Sequence, residues 1–344
     1  IPDELNENGE CFEHPGRKLD LVAEENYFFR LSRYQDRLLE LINSETLAII
    51  PQKRKNEVLA FLAQPLQDVS ISRSNERARN WGVPVPGDDS QKIYVWFDAL
   101  NIYQSGVGFG WDEALYKKWW PADVHVIGKG ITRFHAVYWP AFLLSAKLEL
   151  PKLLFVHGYI TVDGQKMSKT LGNVIDPVAL VERYGTDPVR YYFLREIPPV
   201  EDGDFSYAKF ETRYNGDLAN GLGNFTARVL TLAAKFGIRN PESGIKNDDL
   251  AAEKERVHAT VASAMEQFKF NEALEAIWDL IRAGDLYVNQ EKPWTGEKPD
   301  VIGNLLGVLN TVATLLEPFL PHTARSIKIK LADSAPGEPL FPRL

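Results

Sequence analysis

Apolar residues recur at helical spacing in the last third of the chain and cluster in short β-forming runs in its middle. Leu218, Leu222, Phe225, Val229 and Leu232 step by four and three, and Ile302, Leu305, Leu309, Val312 and Leu316 do the same. Stripes of this kind place one apolar face of each helix against a shared core. Val257, Val261, Met265 and Phe268 form a third stripe, and Leu274, Ile277 and Ile281 open a fourth before Pro293. A last short helix follows Pro318 and Pro321 and reaches Lys330. Nearer the start, Leu31, Tyr34, Leu38, Leu39 and Ile42 predict an amphipathic helix over 27–43. A second helix is predicted over 53–62, stopping before Gln64-Pro65, with an extended return over 69–73.

Between these regions the period changes. Residues 92–97, 123–127 and 153–156 are β-rich, and the chain between them is long enough for helical crossovers. The resulting β-α-β-α-β order is half of a doubly wound nucleotide-binding sheet, a fold that binds ligands at the carboxyl ends of its strands. The run from Trp81 to Asp88, rich in proline and glycine, predicts no regular structure and marks a boundary. Val156 and residues 159–162 lead into Asp163-Gly164, a tight-turn signal, so Lys166 and Lys169 are expected to leave a sheet edge on a loop. Asp176-Pro177 and Asp187-Pro188 each pair an N-cap with proline at the first helical position, and Gly185 ends the first of those helices. Residues 197–204 read as a stiff, acidic connection. The expected fold class is therefore α/β plus all-α. Its segments are 1–90, the end of an insertion; 91–165, half of a nucleotide-binding domain; 166–209, a loop and helical junction; and 210–344, a helical bundle.

The 344 residues leave room for two or three cores. A net charge of -8 argues against a generic, salt-driven nucleic-acid coat, though a local patch would suffice for a specific site. A single cysteine permits no internal disulfide and fits a reducing, cytosolic setting. No membrane span is expected, since the apolar stretches fall short of the roughly 20 residues needed. Two lysines separated by three positions on a loop suit a polyanion, because each is a compact charge on a flexible stem. Asn224 and Arg228 project from nearly one helix face. Cys11 and His14 supply two of the four ligands a structural zinc requires, and read on their own as a chance pair.

Longer strings change several of these readings. KMSKT at 166–170, followed by LGN and a helix opening at Asp176-Pro177, resembles the KMSKS signature of class I aminoacyl-tRNA synthetases, with Thr170 keeping the final hydroxyl. Residues 94–103 (YVWFDALNIY), 127–135 (IGKGITRFH) with Tyr138-Trp-Pro140, 157–160 (HGYI) and 24–35 (EENYFFRLSRYQ) are similar to methionyl-tRNA synthetases, and with the C-terminal bundle they cover nearly the whole chain.

The resemblance implies the second half of a Rossmann-like catalytic domain followed by an anticodon-binding bundle. It implies activation of methionine with ATP and Mg²⁺, then transfer to tRNA(Met). Trp96, Ala99, Tyr103 and His135 would line the methionine side-chain pocket. Gly128, Ile131, His157 and Ile160 would border the adenosine, and Lys166, Ser168 and Lys169 would act on the phosphates. Asn224, Arg228 and Trp294 would meet the anticodon. Gly130 stands where many members carry an acidic residue. Cys11 and His14 become the second half of a zinc knuckle, so that zinc belongs to the intact protein only. No histidine lies in a His-x-Gly-His pattern, so the first catalytic half is expected upstream of Ile1 and the chain is expected to be inactive alone. A non-catalytic tRNA-binding fragment or split subunit stays open as an alternative, as does a class I synthetase for another amino acid.

Overall fold

Tyr27 is the point at which long-range pairing overrides local periodicity. Its backbone N–H donates to Ser72 Oγ at 2.8 Å, and its carbonyl accepts from Ile71 N at 2.9 Å. The neighbouring Phe28–Phe29 strand pairs antiparallel with Val69–Ser70. The helix expected from residue 27 therefore starts only at Gln35, after a 3₁₀ turn at Leu31–Tyr34. Of the expected apolar face Leu31, Leu38 and Ile42 are buried, Tyr34 and Leu39 are half-buried, and Leu41 joins the buried side. These are contacts in a computed structural model of the chain, which describes residues 23–167, 172–238, 244–333 and 335–344. Cys11 and His14 lie outside the described residues.

The chain divides into two compact units, Ile1–Val156 and His157–Leu344. In the first, a three-stranded sheet has the order Ala48–Ile50, Leu153–His157, His125–Gly128, and the first two strands pair parallel. Ile49, Ile127, Leu154 and Val156 join Leu38, Ile42, Val58 and Leu62 in its core.

The strand expected at 92–97 is not part of this sheet. Asp88–Ile93 pairs antiparallel with Ser72–Ser74 and with the two-residue edge strand Pro84–Val85. Proline is tolerated there because an edge strand need not donate on its outer side. The chain then turns into the helix Val95–Ala99. The third strand of the sheet is instead Ala48–Ile50, which lies between the helices predicted over 27–43 and 53–62.

The second unit carries a small sheet and a helical bundle. Ile160–Val162 pairs antiparallel with Gln165–Lys166 and parallel with Gly203–Phe205. The end of the stretch expected to be a stiff linker, from Gly203, is thus a strand, and Asp202 and Asp204 bond to the hairpin. Gly158 makes this possible, because a Cβ there would stand 2.1 Å from the Glu201 carbonyl oxygen.

Among the described residues the bundle is built from Asn224–Phe236, Asp248–Glu266, Phe270–Glu291, Pro299–Leu316 and Pro321–Asp333. The predicted stripes at 218–232 and 302–316 are buried throughout. Pro299–Leu316 is by length and composition apolar enough to cross a bilayer, but most of it is buried against the other helices. Asp176 caps Pro177–Tyr184 as expected, accepting from Val178 N at 2.8 Å. Asp187 does not act as a cap for its own helix, which starts at Thr186. Its side chain turns inward instead.

Candidate active site and anticodon interface

Within the first unit, Val95–Ala99 is one turn of helix, so Trp96 and Ala99, three apart, share a face. Trp96 stacks on Phe134 with ring centroids 4.3 Å apart. Phe134–Tyr138 forms a π-helical turn, a rare geometry frequent at functional sites, and it carries the buried His135. His135 Nδ1 lies 2.9 Å from the Ile131 carbonyl oxygen, and its Nε2 lies 2.8 Å from Tyr103 Oη. A carbonyl can only accept, so Nδ1 holds the proton and Nε2 accepts from the Tyr103 hydroxyl. Burial pushes the Tyr103 pKa up, which keeps that hydroxyl protonated.

The structure therefore joins Tyr103, Ile131 and His135 through hydrogen bonds and sets Trp96 against the neighbouring Phe134. Ala99 is exposed one turn beyond Trp96. Gly128 ends the strand His125–Gly128, directly before the turn that carries Ile131. Two participants escaped the sequence reading. Phe134 is one. The other is His125, whose ring meets Tyr103 edge-on with centroids 4.3 Å apart and which is 4% exposed. Alternation along the 123–127 run could have placed His125 inward with Ile127, but nothing local marked its neighbour across the chain.

Burial, with His135 nearby, pushes the His125 imidazole down to about 4. Burial lowers His135 too, against the Ile131 hydrogen bond, which raises it. A histidine in the unfolded chain takes up its proton near pH 6.5, whereas His125 in the folded chain does so only near 4. Between those values the unfolded state binds more protons, so stability falls as pH drops through that window. Urea denaturation at about pH 7.5 and about pH 5 should show this loss, with a smaller loss in His125→Phe. Equal losses in the two proteins would remove His125 as a source.

In the second unit, Asp163 and Gly164 have φ of 50° and 75°, as a type I′ hairpin turn requires. Asp204 Oδ1 accepts from Gly164 N at 2.7 Å and from Thr161 Oγ1 at 2.8 Å, and Lys209 pairs with its second oxygen. These bonds, that from the Gly164 backbone first, hold the Asp204 carboxyl below its usual range. Asp202 accepts from Tyr159 N at 2.8 Å. Lys166 is thereby placed on the second strand of a pinned hairpin, exposed, rather than on the free loop expected. Ser168 and Lys169 lie outside the described residues. His157 is exposed at the end of its strand, with Nδ1 donating to the Gly158 carbonyl at 2.7 Å, and Ile160 opens the hairpin.

Asn224 is exposed at the head of its helix, directly after a second π-helical stretch, Tyr214–Gly223. One turn on, Arg228 donates to Asp285 Oδ1 and to Asn289 Oδ1, each at 2.9 Å. The helices approach closely because Gly284 has no side chain. A Cβ there would stand 2.6 Å from the Phe225 ring. Burial raises the Asp285 pKa, and Arg228 opposes the shift. The Phe270–Glu291 helix ends at Lys292 in the left-handed region, φ 47°, and Pro293–Thr295 adds a 3₁₀ turn that leaves Trp294 46% exposed. Asp285 and Asn289 were absent from the sequence reading, since no local pattern pairs them with a residue about 60 positions away. Among the described residues no group of three or more His, Cys, Asp or Glu side chains is placed to hold a metal ion.

The family described as "tRNA synthetases class I (M)" matches residues 3–230, and "Anticodon-binding domain of tRNA ligase" matches 248–334. The chain is 44% identical over 341 residues to the methionine–tRNA ligase of Synechocystis sp., covering 94% of this chain and 63% of the relative. It is 42% identical to that of Clostridium acetobutylicum, covering 92% of this chain and 51% of the relative. A crystal structure of Mycobacterium tuberculosis methionyl-tRNA synthetase bound by methionyl-adenylate superposes with a TM-score of 0.84 at 38% identity, over 97% of this chain and 69% of that one. The chain thus spans between half and two-thirds of the length of these curated relatives.

Proposed function

Because the chain belongs to the class I tRNA synthetases of the methionine type, we propose that it is the part of a methionine–tRNA ligase that binds the methionine side chain, handles the ATP phosphates and reads the anticodon. The observation that carries this reading is the Tyr103–His135 hydrogen bond beside the Trp96–Phe134 stack, within a segment matched by the family. Aromatic surfaces suit a polarizable thioether, with sulfur-aromatic contacts worth roughly 0.3 to 1.5 kcal/mol each. We assign Trp96, Ala99, Tyr103 and His135 to that side chain, and Gly128, Ile131, His157 and Ile160 to the adenosine.

In the reaction a methionine carboxylate oxygen attacks the α-phosphorus of ATP, and pyrophosphate leaves with the bonding electrons. The terminal hydroxyl of tRNA(Met) then attacks the adenylate carbonyl and AMP leaves. Lys166, Ser168 and Lys169 carry out electrostatic stabilisation and positioning in the first step. Mg²⁺ arrives with ATP as part of the substrate, because it is bound mainly through phosphate oxygens and water. The four-segment division at 90, 165 and 209 belongs to this reading. So do a cytoplasmic location and a longer polypeptide that supplies the rest of the nucleotide-binding fold.

Methionine-dependent ATP–pyrophosphate exchange by the full-length protein tests the assignment. Exchange with methionine at least about 100-fold above leucine or isoleucine is expected. No exchange with methionine, together with retained tRNA binding, would favour a non-catalytic tRNA-binding role.

A further inference from the structure

Two charged side chains on the Thr186–Arg195 helix hold the corner between the last two helices of the bundle. Asp187 is 4% exposed, and its Oδ2 accepts from Thr323 N at 2.6 Å, in the first turn of Pro321–Asp333. Arg190, one turn along, donates from Nε to the Phe319 carbonyl at 2.7 Å and from Nη2 to the Pro318 carbonyl at 2.8 Å. The anion thus meets the amino end of one helix and the cation meets the carbonyls just beyond the preceding one, the favourable arrangement for both helix dipoles.

The same helix is fastened on its other side. Tyr192 Oη donates to the Asp204 carbonyl at 3.2 Å, and the Asp204 side chain accepts from Gly164 N in the turn before Lys166. Tyr191 Oη donates to Asp217 Oδ2 at 2.8 Å, adding a tie to the segment leading into Asn224. A continuous set of bonds therefore runs from the 318–323 corner of the bundle, through one ten-residue helix, to the lysine-bearing hairpin.

We propose that Asp187 and Arg190 are positioning residues that hold the Lys166 hairpin in register with the helical bundle, and that tRNA charging depends on them far more than methionine activation does. The inference rests on the function proposed above. Activation involves only small substrates near the hairpin. Charging needs one tRNA to meet the bundle and the reaction centre together, and a misplacement of about 1 Å can cost about 100-fold in rate.

The test uses the full-length protein with Arg190→Met, which keeps an unbranched apolar stem, Asp187→Asn, which keeps the shape, and Arg190→Lys. Methionine-dependent exchange, steady-state charging of tRNA(Met) and a thermal melt are measured for each. For Arg190→Met and Asp187→Asn the expected result is exchange within about 2-fold of the parent, while kcat/KM for charging falls by about 10-fold or more, chiefly through the KM for tRNA. Arg190→Lys, which keeps a donor for one of the two carbonyls, should recover part of that loss. Charging that stays level with the parent overturns the proposal. So does a fall in exchange and charging by the same factor in step with a lower melting temperature, which would make the pair a support of the fold alone. Absence of methionine exchange in the parent protein would instead reject the function on which the inference rests.

Discussion

Changing Lys169 to alanine in the full-length protein is expected to slow methionine activation by about 100-fold or more while leaving equilibrium binding of methionine almost unchanged. As pyrophosphate departs, negative charge grows on the phosphate oxygens, and an ammonium group placed there is worth more at the transition state than in the ground state. Methionine's side chain is assigned to other residues, around Tyr103 and His135, so its binding does not call on the lysine. The hairpin before Lys169 is pinned by Asp204 at Gly164 and Thr161, so loss of one ammonium should leave the turn in place. Single-turnover adenylate formation gives the rate, and methionine titration by equilibrium dialysis gives the affinity. A matched loss of both would mean that the loop supports the fold instead of the chemistry.

The second large effect is expected at Trp294, where alanine should weaken tRNA(Met) binding by about 5- to 150-fold, the range that corresponds to roughly 1 to 3 kcal/mol of base stacking. The bundle contains its own control. Trp278 is 5% exposed and donates from Nε1 to the Asp217 carbonyl, whereas Trp294 is 46% exposed on a 3₁₀ turn. Trp278→Ala should therefore cost roughly 3 to 5 kcal/mol of stability, and Trp294→Ala far less. Asn224→Ala and Arg228→Ala should also weaken binding. Arg228→Ala also removes the partner of Asp285, leaving a half-buried carboxylate unpaired. Competition binding at fixed salt against a tRNA with a scrambled anticodon, with a denaturation curve for each variant, separates recognition from folding. Should Trp294→Ala unfold the bundle while Asn224→Ala keeps the preference for a CAU anticodon, the anticodon assignment fails.

The sequence by itself determined the features that depend on near neighbours. The stripes at 218–232 and 302–316 are buried where their period put them, because a helix face is set by spacing alone. Asp163-Gly164 makes its tight turn and Asp176 caps its helix, because both are short-range hydrogen-bonding choices of those residue types. The Tyr103 and His135 segments were legible as strings, although the bond between their side chains was not.

Only the tertiary structure decided what depends on a distant partner. Phe28 and Phe29 directly precede a helical stripe and fall within the helix predicted over 27–43, yet they pair with Val69–Ser70, since backbone groups brought together across about 40 residues take their partners there. Val95–Ala99 has strand-like composition but folds as a helix. The acidic stretch before Phe205 became a strand because Tyr159, Thr161 and Gly164 offered donors to Asp202 and Asp204. Asp187 left its expected cap for Thr323, 136 positions away, and Arg228 found Asp285 and Asn289 on another helix. Periodicity reports which face is apolar. It does not carry the identity of the group that will stand opposite a buried charge, and here those distant groups decide how the hairpin and the bundle are held.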